Sequence, residues 1–302
     1  MAYVLLGNEA KNTYVYEGLS TETKPTPDSS TFGERVNSEA WETDTGNVYV
    51  WHGANWQIES YGSDSGVNKF GRCTDADSGV TTDVQDGANS TDSVYTWVAP
   101  TQARVHQLTS DNANDTAAGT GAQKVMVYYL ADWDTAEAST ELTMNGTSNV
   151  ATPSNVIIHR MKVTEWGSAG PNVGVITATA DTDGTVTAQI NAGEGQTQMA
   201  VYGIPSYQVF SMTDYYATTN KAVTTLGAEV KLKVNQYCDN ELVGFVTKHT
   251  KGLVTTGTSD GIHPFNPRNR IQGPAIIKIE VTTTVNNSVI DAGFDGNLES
   301  YA

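Results

Sequence analysis

Apolar and polar residues alternate with a period of two along much of this 302-residue chain. From residue 94 onward, short runs rich in Val, Ile, Thr and Tyr recur between turn residues, whereas the i, i+3, i+4, i+7 spacing of an amphipathic helix is hard to find. Because such alternation turns one face of a strand toward a core, the pattern predicts many strands and very little helix. The predicted strands span residues 94–98, 104–108, 124–130, 138–144, 156–165, 173–179, 185–190, 196–204, 207–212, 228–234, 242–248 and 275–285.

These runs are bounded by Gly, Pro, Asn or Asp, and Asp183-Gly184 is typical of a hairpin turn. Many short strands without helical windows indicate two antiparallel sheets packed face to face. No repeat with a period of roughly 20–50 residues is found, which argues against a propeller or a solenoid. We therefore predict an all-β fold, an antiparallel β-sandwich that is jelly-roll-like; a trimeric or barrel-like variant gives the same pattern.

The chain divides into three segments by composition. Residues 1–60 contain two short strand candidates, a Pro-containing loop and a hairpin at residues 41–56, so we predict a small N-terminal β-hairpin attachment segment. Residues 61–93 are polar and predict a linker or loop. Residues 94–302 form the predicted sandwich body. Since the first segment has little apolar mass, it is expected to lean on the body, on another subunit or on another protein.

The first segment is rich in aromatic residues, which makes it the main candidate for a binding interface. Tyr and Trp dominate the centres of binding patches. A small core built of the same rings is the competing interpretation, and the sequence leaves both open. The interface candidates in this segment are Tyr14, Tyr16, Trp41, Tyr49, Trp51 and Trp56.

The chain is strongly acidic. Only 17% of its residues are charged, against about 25% in average proteins, and the net charge is −17. This balance, without a basic run interleaved with aromatics, argues against nucleic-acid binding. Residues 221–280 differ, with eight basic and five acidic residues. Lys231 and Lys233 in this stretch are candidates for docking to an acidic partner; solvated lysines on a strand pair are the alternative.

No metal or cofactor is predicted. Aspartates spaced through residues 75–92 invite a calcium interpretation, but the ligand order of an EF-hand is missing, which favours a solvated loop. Cys73 and Cys238 form no zinc spacing; two reduced thiols are expected, with a bridge between them as the alternative. The N-terminus lacks a basic signal region and no apolar run approaches the roughly 20 residues of a membrane span, so we expect a soluble protein made in a cytosol, without membrane contact.

The sequence holds no enzyme signature, and we do not expect an enzyme. The motifs of serine-hydrolase elbows, zinc proteases, P-loops and dinucleotide sites are all missing. His106 and His159 lie in strand candidates, where a hydrogen-bonded structural imidazole is expected. Residues 132–134 (DWD) and 165–166 (EW) place acids beside indoles, as sugar-cleaving sites do, but turns next to strand ends explain the same pattern.

Two neighbouring motifs carry a resemblance to a known class of proteins. Residues 41–56 read WETDTGNVYVWHGANW and follow YEGLSTETKP at residues 16–25. This cassette resembles one that recurs near the N-termini of virion proteins of tailed bacteriophages. Other motifs are similar to segments of β-rich structural proteins of marine and cyanobacterial phages, and together the matches cover most of the chain. They are GTGA at 119–122, KVMV at 124–127, LTMNGT at 142–147, NAGEGQT at 191–197, AVYGIP at 200–205 and VNNSVIDAGFDG at 285–296.

The resemblance implies a structural component of the virion. We expect a capsid-associated decoration or spike protein of cement type, which contacts the major capsid protein or tail and portal components and is assembled in the cytoplasm of a bacterial host. A homo-oligomer, with the trimer favoured, is expected because closed cyclic symmetry leaves no open interface. The alternative is a tail fibre or receptor-binding protein that recognises a host surface glycan.

Overall fold

The computed structural model describes residues 4–8, 14–19, 21–24, 38–42, 48–51, 56–60, 65–85, 97–239 and 244–300. Strands make up 64% of the structure, and no helix occurs in these ranges. The described strands form four sheets, in which all but one of the strand pairs are antiparallel. The prediction of an all-β fold with antiparallel sheets of the sandwich type is confirmed.

The N-terminal residues form a sheet of their own. Its strands are β1 (Val4–Asn8), β2 (Tyr14–Gly18), β3 (Glu39–Glu42), β4 (Val48–Trp51) and β5 (Trp56–Ser60). They lie in this order and, among the described strands, pair only with each other. β3 and β4 pair antiparallel, as the hairpin prediction requires, while its turn at residues 43–47 lies outside the described residues. Because β2 and β3 pair in parallel, the segment is a five-stranded mixed sheet and not a hairpin alone.

Residues 97–199 form a β-sandwich, here called the inserted sandwich. Its strands are β8 (His106–Ser110), β9 (Ala122–Leu130), β10 (Ala138–Thr143), β11 (Val150–Ala151), β12 (Ile157–Trp166), β13 (Ile176–Ala180) and β14 (Val186–Ile190). One sheet has the order β10-β9-β12, and the other has the order β11-β8-β13-β14. Alternate residues, such as Val125 and Val127 on β9 and Ile176 and Ala178 on β13, are fully buried in one core between them.

A buried carboxylate holds one end of the inserted sandwich. The Asp115 carboxylate accepts four hydrogen bonds of 2.6–2.9 Å, from the Ser110 hydroxyl and from the backbone N–H groups of Ala122, Val173 and Gly174. A buried charge without partners is costly, and these bonds supply the partners. They tie the loop between β8 and β9, which carries Asp115, to the loop that precedes β13. The GTGA motif at 119–122 therefore has a structural role: a Cβ at Gly121 would lie 2.0 Å from Asp115 Oδ1.

The remaining seven strands form one large sheet, here called the folded sheet. They are β6 (Ser65–Ala76), β7 (Thr81–Asp83), β15 (Val201–Ile204), β16 (Gln208–Gln236), β17 (Val246–Gln272), β18 (Ala275–Thr283) and β19 (Ser288–Ser300). β17 pairs along one edge of β16; β18 and β19 pair with successive halves of its other edge. β6 and β7 lie in the segment expected to be a linker or loop, so residues 65–76 and 81–83 are strands instead: β6 pairs with β19, and β7 pairs with β18.

The folded sheet turns a sharp corner halfway along its longest strands. His249 and His263 are both in β17, and a straight strand of this length would separate them by roughly 46 Å at about 3.3 Å per residue. Their ring centroids lie 3.9 Å apart, and the Tyr215 hydroxyl lies 2.6 Å from His249 Nδ1. The register of β16 and β17 shifts between Lys221 and Leu226, as expected where a bulge bends a strand pair. The two halves of the sheet therefore face each other over a common core.

β18 separates the two cores of the body. Its residues Ile277 and Ile279 lie in the core of the folded sheet, whereas Ile276, on its other face, belongs to the core of the inserted sandwich. A strand buried on both faces has a nearly continuous apolar sequence, as AIIKIEV shows. Lys278 and Glu280 share the face of Ile276, so they lie at the junction of the two units.

Candidate functional site

The aromatic residues proposed for an interface mostly pack against each other. The Trp56 ring meets Tyr16 and Trp51 edge-on, at centroid distances of 6.1 and 5.5 Å, and the side chains of Tyr16 and Trp51 are each only 8% exposed. These three rings thus build the core of the N-terminal sheet, which is the arrangement of the competing interpretation. The side chain of Tyr14 lies outside the described residues.

Trp41 is the predicted interface residue that faces solvent. Its side chain is 49% exposed, and its Nε1–H donates to Glu39 Oε2 at 3.3 Å. Tyr49 is half-buried, and the Lys24 ammonium lies 3.7 Å from its ring centroid. An exposed indole fixed by a hydrogen bond offers a large, ordered apolar surface to a partner.

Lys231 and Lys233 each pair with a carboxylate of the folded sheet. The Lys231 ammonium lies 2.8 Å from Glu229 Oε2, and the Lys233 ammonium lies 3.7 Å from Glu280 Oε2. Docking of these lysines to an acidic partner stays a prediction. Such docking has to compete with carboxylates that already pair with both ammonium groups.

Lys278 is the centre of a closed ionic network at the junction of the two units. Its ammonium lies 2.8 Å from both Asp83 Oδ1 and Glu280 Oε1. The rings of Phe245 and Trp97 lie beside it, with centroids 4.6 and 5.9 Å away. Burial opposes the charge, but the two carboxylates outweigh it and raise the pKa of Lys278, whereas burial raises the pKa of Asp83 despite the lysine.

A second polar cluster at the same junction surrounds a cavity of about 340 Å³. β6 of the folded sheet contributes Lys69, and β15 contributes Tyr202. The inserted sandwich contributes Glu137, His159 and Arg160, together with Tyr128. A volume of this size lies at the lower end of cavities that hold small ligands, and its wall combines charged groups, hydroxyls and aromatic rings.

The hydrogen bonds around the cavity leave cationic groups incompletely paired. The Lys69 side chain is 7% exposed, and its ammonium donates to the His159 carbonyl oxygen at 2.5 Å. The Tyr202 hydroxyl donates to Glu137 Oε2 at 3.3 Å, and the same oxygen lies 3.7 Å from His159 Nδ1. Arg160 donates to the side-chain oxygen of Gln196.

Burial and the neighbouring charges shift the protonation of these groups. Burial and the nearby Arg160 guanidinium lower the pKa of Lys69 to about 7. Burial also lowers the pKa of His159 well below its ordinary value, so the ring is neutral at pH 7. Glu137 has a 37% exposed side chain, yet desolvation raises its pKa, against the pull of Lys69. Burial and Glu137 raise the pKa of Tyr202.

The sequence did not reveal this cluster. Lys69 falls in the segment expected to be a linker, and His159 was expected to be a hydrogen-bonded structural imidazole. In the described part of the chain, both ring nitrogens of the buried His159 lack a hydrogen-bond partner, as does Nδ1 of the buried His106. Chemically, the cavity can bind an anion through Lys69 and Arg160, or use a lysine with a lowered pKa as a base.

The acid–indole motifs have local structural partners. Asp134 Oδ1 accepts a hydrogen bond of 2.7 Å from the Ser206 hydroxyl, and Trp133 packs against the core of the inserted sandwich. Glu165 pairs with Lys124 at 2.8 Å, next to Trp166, which is 54% exposed. Asp134 lies outside the strands, as the ordinary explanation expects, whereas Glu165 lies near the end of β12 and pairs with a neighbouring strand.

The described residues contain no group of three or more His, Cys, Asp or Glu side chains placed to hold a metal ion, and no helix long and apolar enough to cross a membrane. Cys73 and Cys238 are free thiols, and burial raises their pKa values to about 11 and about 12. Asp86 and Asp92 of the proposed calcium loop lie outside the described residues.

Comparisons with known proteins give little. No protein-family model and no curated protein sequence matches the chain. One solved structure, of infectious bursal disease virus Gx strain, is 11% identical, and the match covers 87% of this chain and 64% of that chain with a TM-score of 0.22. The corresponding structure of the Gt strain is 12% identical, with coverages of 85% and 63% and a TM-score of 0.19.

The chain thus spans less than two thirds of the length of these viral chains. Similarity at these TM-scores carries no argument about fold or function.

Proposed function

We propose that this chain is a structural protein of a tailed-phage virion that acts through protein–protein contacts, as a decoration or spike protein attached to the capsid. The observation that carries the proposal is the N-terminal sheet. Its strands pair only with each other among the described strands, and they contain the motifs that resemble phage virion proteins. A separate sheet with an exposed Trp41 is suited to attachment to a particle.

The same proposal assigns the attachment to residues 1–60 and the exposed mass to the body. Tyr16, Trp51 and Trp56 stabilise the attachment sheet from within, and Trp41 makes the contact with the particle. Removal of the rings in the core would unfold the sheet, so a loss of attachment in such variants says little. Trp41 is exposed, and its replacement leaves the core of the sheet intact.

A homo-oligomer, with the trimer favoured, is part of the proposal, and the free edge of β17 supports it. β17 has 27 residues and pairs only with β16 among the described strands. A long unpaired edge is a template for pairing with another chain. Three apolar side chains along β17 are also exposed: Val246, Val254 and Ile262. Pairing with a second copy of this chain covers both the edge and the apolar residues.

The test of attachment uses virions purified from lysates of the host that carries the gene. An antibody against the chain should label the head shell in electron micrographs. Trp41→Ala should fold normally and be lost from the particles, whereas Trp166→Ala, a control indole of similar exposure on the inserted sandwich, should be retained. Label on the tail supports the fibre alternative, and virions without the chain contradict the proposal.

The test of the oligomer uses light scattering on the purified chain. A trimer has about three times the 32.3 kDa mass of one chain. Ile262→Lys should weaken association, while Val80→Lys, at an exposed valine away from β17, should not. A monomer, both in solution and on the particle, contradicts this part of the proposal.

A further inference from the structure

Two cations, Lys69 and Arg160, and a single carboxylate, Glu137, line the cavity at the junction. Lys69 donates to a single carbonyl oxygen and makes no ion pair with a described carboxylate, although an ammonium group carries three donors. Arg160 lies close enough to lower the pKa of Lys69 by charge repulsion. The nearest carboxylate, Glu137, accepts a hydrogen bond from Tyr202 instead. A buried ammonium beside a half-buried guanidinium is unfavourable unless an anion joins them.

The rest of the wall is suited to hydroxyl groups. Glu137 offers acceptor oxygens to the cavity, while both nitrogens of the neutral His159 ring are buried and have no partner among the described residues. Tyr128 and Tyr202 add hydroxyls and ring faces. A sugar hydroxyl donates and accepts at once, so it can pair with groups of both kinds. These polar groups line the 340 Å³ volume together with aromatic rings and Val67.

We propose that this cavity is a binding site for an acidic saccharide, whose carboxylate lies between Lys69 and Arg160 and whose hydroxyls pair with Glu137. A singly charged carboxylate fits better than a phosphate, because Glu137 in the same wall repels a second negative charge. The inference rests on the cavity alone and is independent of the virion assignment.

Binding of such an anion is coupled to a proton. Without ligand, Lys69 has a pKa of about 7, so part of it is neutral at neutral pH. A carboxylate beside it favours the charged amine and raises that pKa, so a proton is taken up on binding. Above pH 7 the affinity therefore falls as pH rises. The His159 ring stays neutral there because burial lowers its pKa, and the charged form of Glu137, whose pKa burial raises, opposes the ligand.

The test is calorimetric titration of the full chain with glucuronate. Glucose, which lacks the carboxylate, and acetate, which lacks the sugar hydroxyls, are the two single-feature probes. Glucuronate should bind with a Kd of about 1 mM or lower, and both single-feature probes should bind at least about tenfold more weakly. Lys69→Met should weaken glucuronate binding at least about tenfold, and Lys162→Met, at an exposed lysine of β12, should leave it unchanged.

Three results would overturn the inference. The first is that glucuronate gives no binding to the folded wild-type chain at about ten times that concentration. The second is acetate binding as tight as glucuronate, which would leave an anion site without saccharide recognition. The third is an unchanged affinity in Lys69→Met with a native circular dichroism spectrum. If Lys69→Met does not fold, Arg160→Gln takes its place in the test. This variant removes the second cation from a half-buried position, and it should also weaken glucuronate binding at least about tenfold.

Discussion

Two lysines at the same junction have opposite environments. Lys278 lies between two carboxylates, each 2.8 Å away, and its pKa is raised. Lys69 donates to one carbonyl oxygen, lies near Arg160, and has a pKa lowered to about 7. The difference shows that burial alone does not decide the charge of a lysine; the neighbouring groups do. The ion pairs of Lys278 join β7 and β18 within the folded sheet, whereas Lys69, which has no such ion pair, marks a place for a ligand.

The largest expected effect comes from removal of Lys278. Lys278→Met leaves Asp83 and Glu280 buried without their shared cation, and removal of one partner of a buried pair costs about 3–5 kcal/mol of unfolding free energy. Lys69→Met removes an amine whose ionisation is opposed by burial, so this variant should keep or gain unfolding free energy at neutral pH. Urea denaturation of both variants measures the difference. Equal losses of unfolding free energy in the two variants would contradict the difference between the two lysines.

The pH dependence of stability gives the second largest effect. The Lys69 amine has a folded pKa of about 7 and an unfolded pKa of 10.5, so the unfolded state binds more protons between these values. The unfolding free energy of the wild type should therefore rise with pH in this window, by about 2 kcal/mol between about pH 7 and about pH 9 relative to Lys69→Met. Parallel curves of unfolding free energy against pH for the wild type and Lys69→Met would show that the pKa of Lys69 is not lowered.

Removal of the charge on Glu137 should sharpen the contrast. The carboxylate of Glu137 raises the pKa of Lys69, against burial and Arg160. Glu137→Gln should therefore shift the titration midpoint of Lys69 to lower pH, as followed by NMR of the labelled lysine side chain. Lys278 pairs with other carboxylates, so its titration serves as the internal control. An upward shift of the Lys69 midpoint contradicts the arrangement of the cavity.

The smallest effect is expected at Lys231, a third lysine environment. This side chain pairs with Glu229 near the surface, and exposed pairs contribute little. Lys231→Met should change the unfolding free energy by no more than about 0.5 kcal/mol. If Lys231 also docks to an acidic partner, the variant should weaken assembly, and the salt dependence of assembly should change. Normal assembly in this variant removes Lys231 from the interface.

Local patterns in the sequence predicted most strands but not how the sheets connect. The alternation of β9, β12 and β18 was visible because each has buried apolar residues at every second position. β17 was predicted only at its start, since the rest contains glycines and Pro264, which an edge strand tolerates and a central strand does not. The corner of the folded sheet depends on contacts between distant residues and leaves no local signal.

The candidate site could not be predicted for a related reason. Lys69, Glu137, His159 and Tyr202 come from four separate elements that meet only where the inserted sandwich contacts the folded sheet. Each of these residues, taken alone, looks like an ordinary strand or turn residue. The aromatic N-terminal segment was recognised from its composition, but composition could not separate Tyr16 and Trp51, which are buried, from Trp41, which is exposed.

The most direct test of the account is an NMR titration of the lysine side chains in the wild-type chain without ligand. The account predicts that Lys69 loses its proton at a pH of about 7, while Lys278 stays charged beyond the ordinary lysine value of 10.5. Assignment follows from the signals lost in Lys69→Met and Lys278→Met. If both lysines titrate together near 10.5, Lys69 has a partner anion already, and neither the contrast between the two lysines nor the proposed ligand site holds.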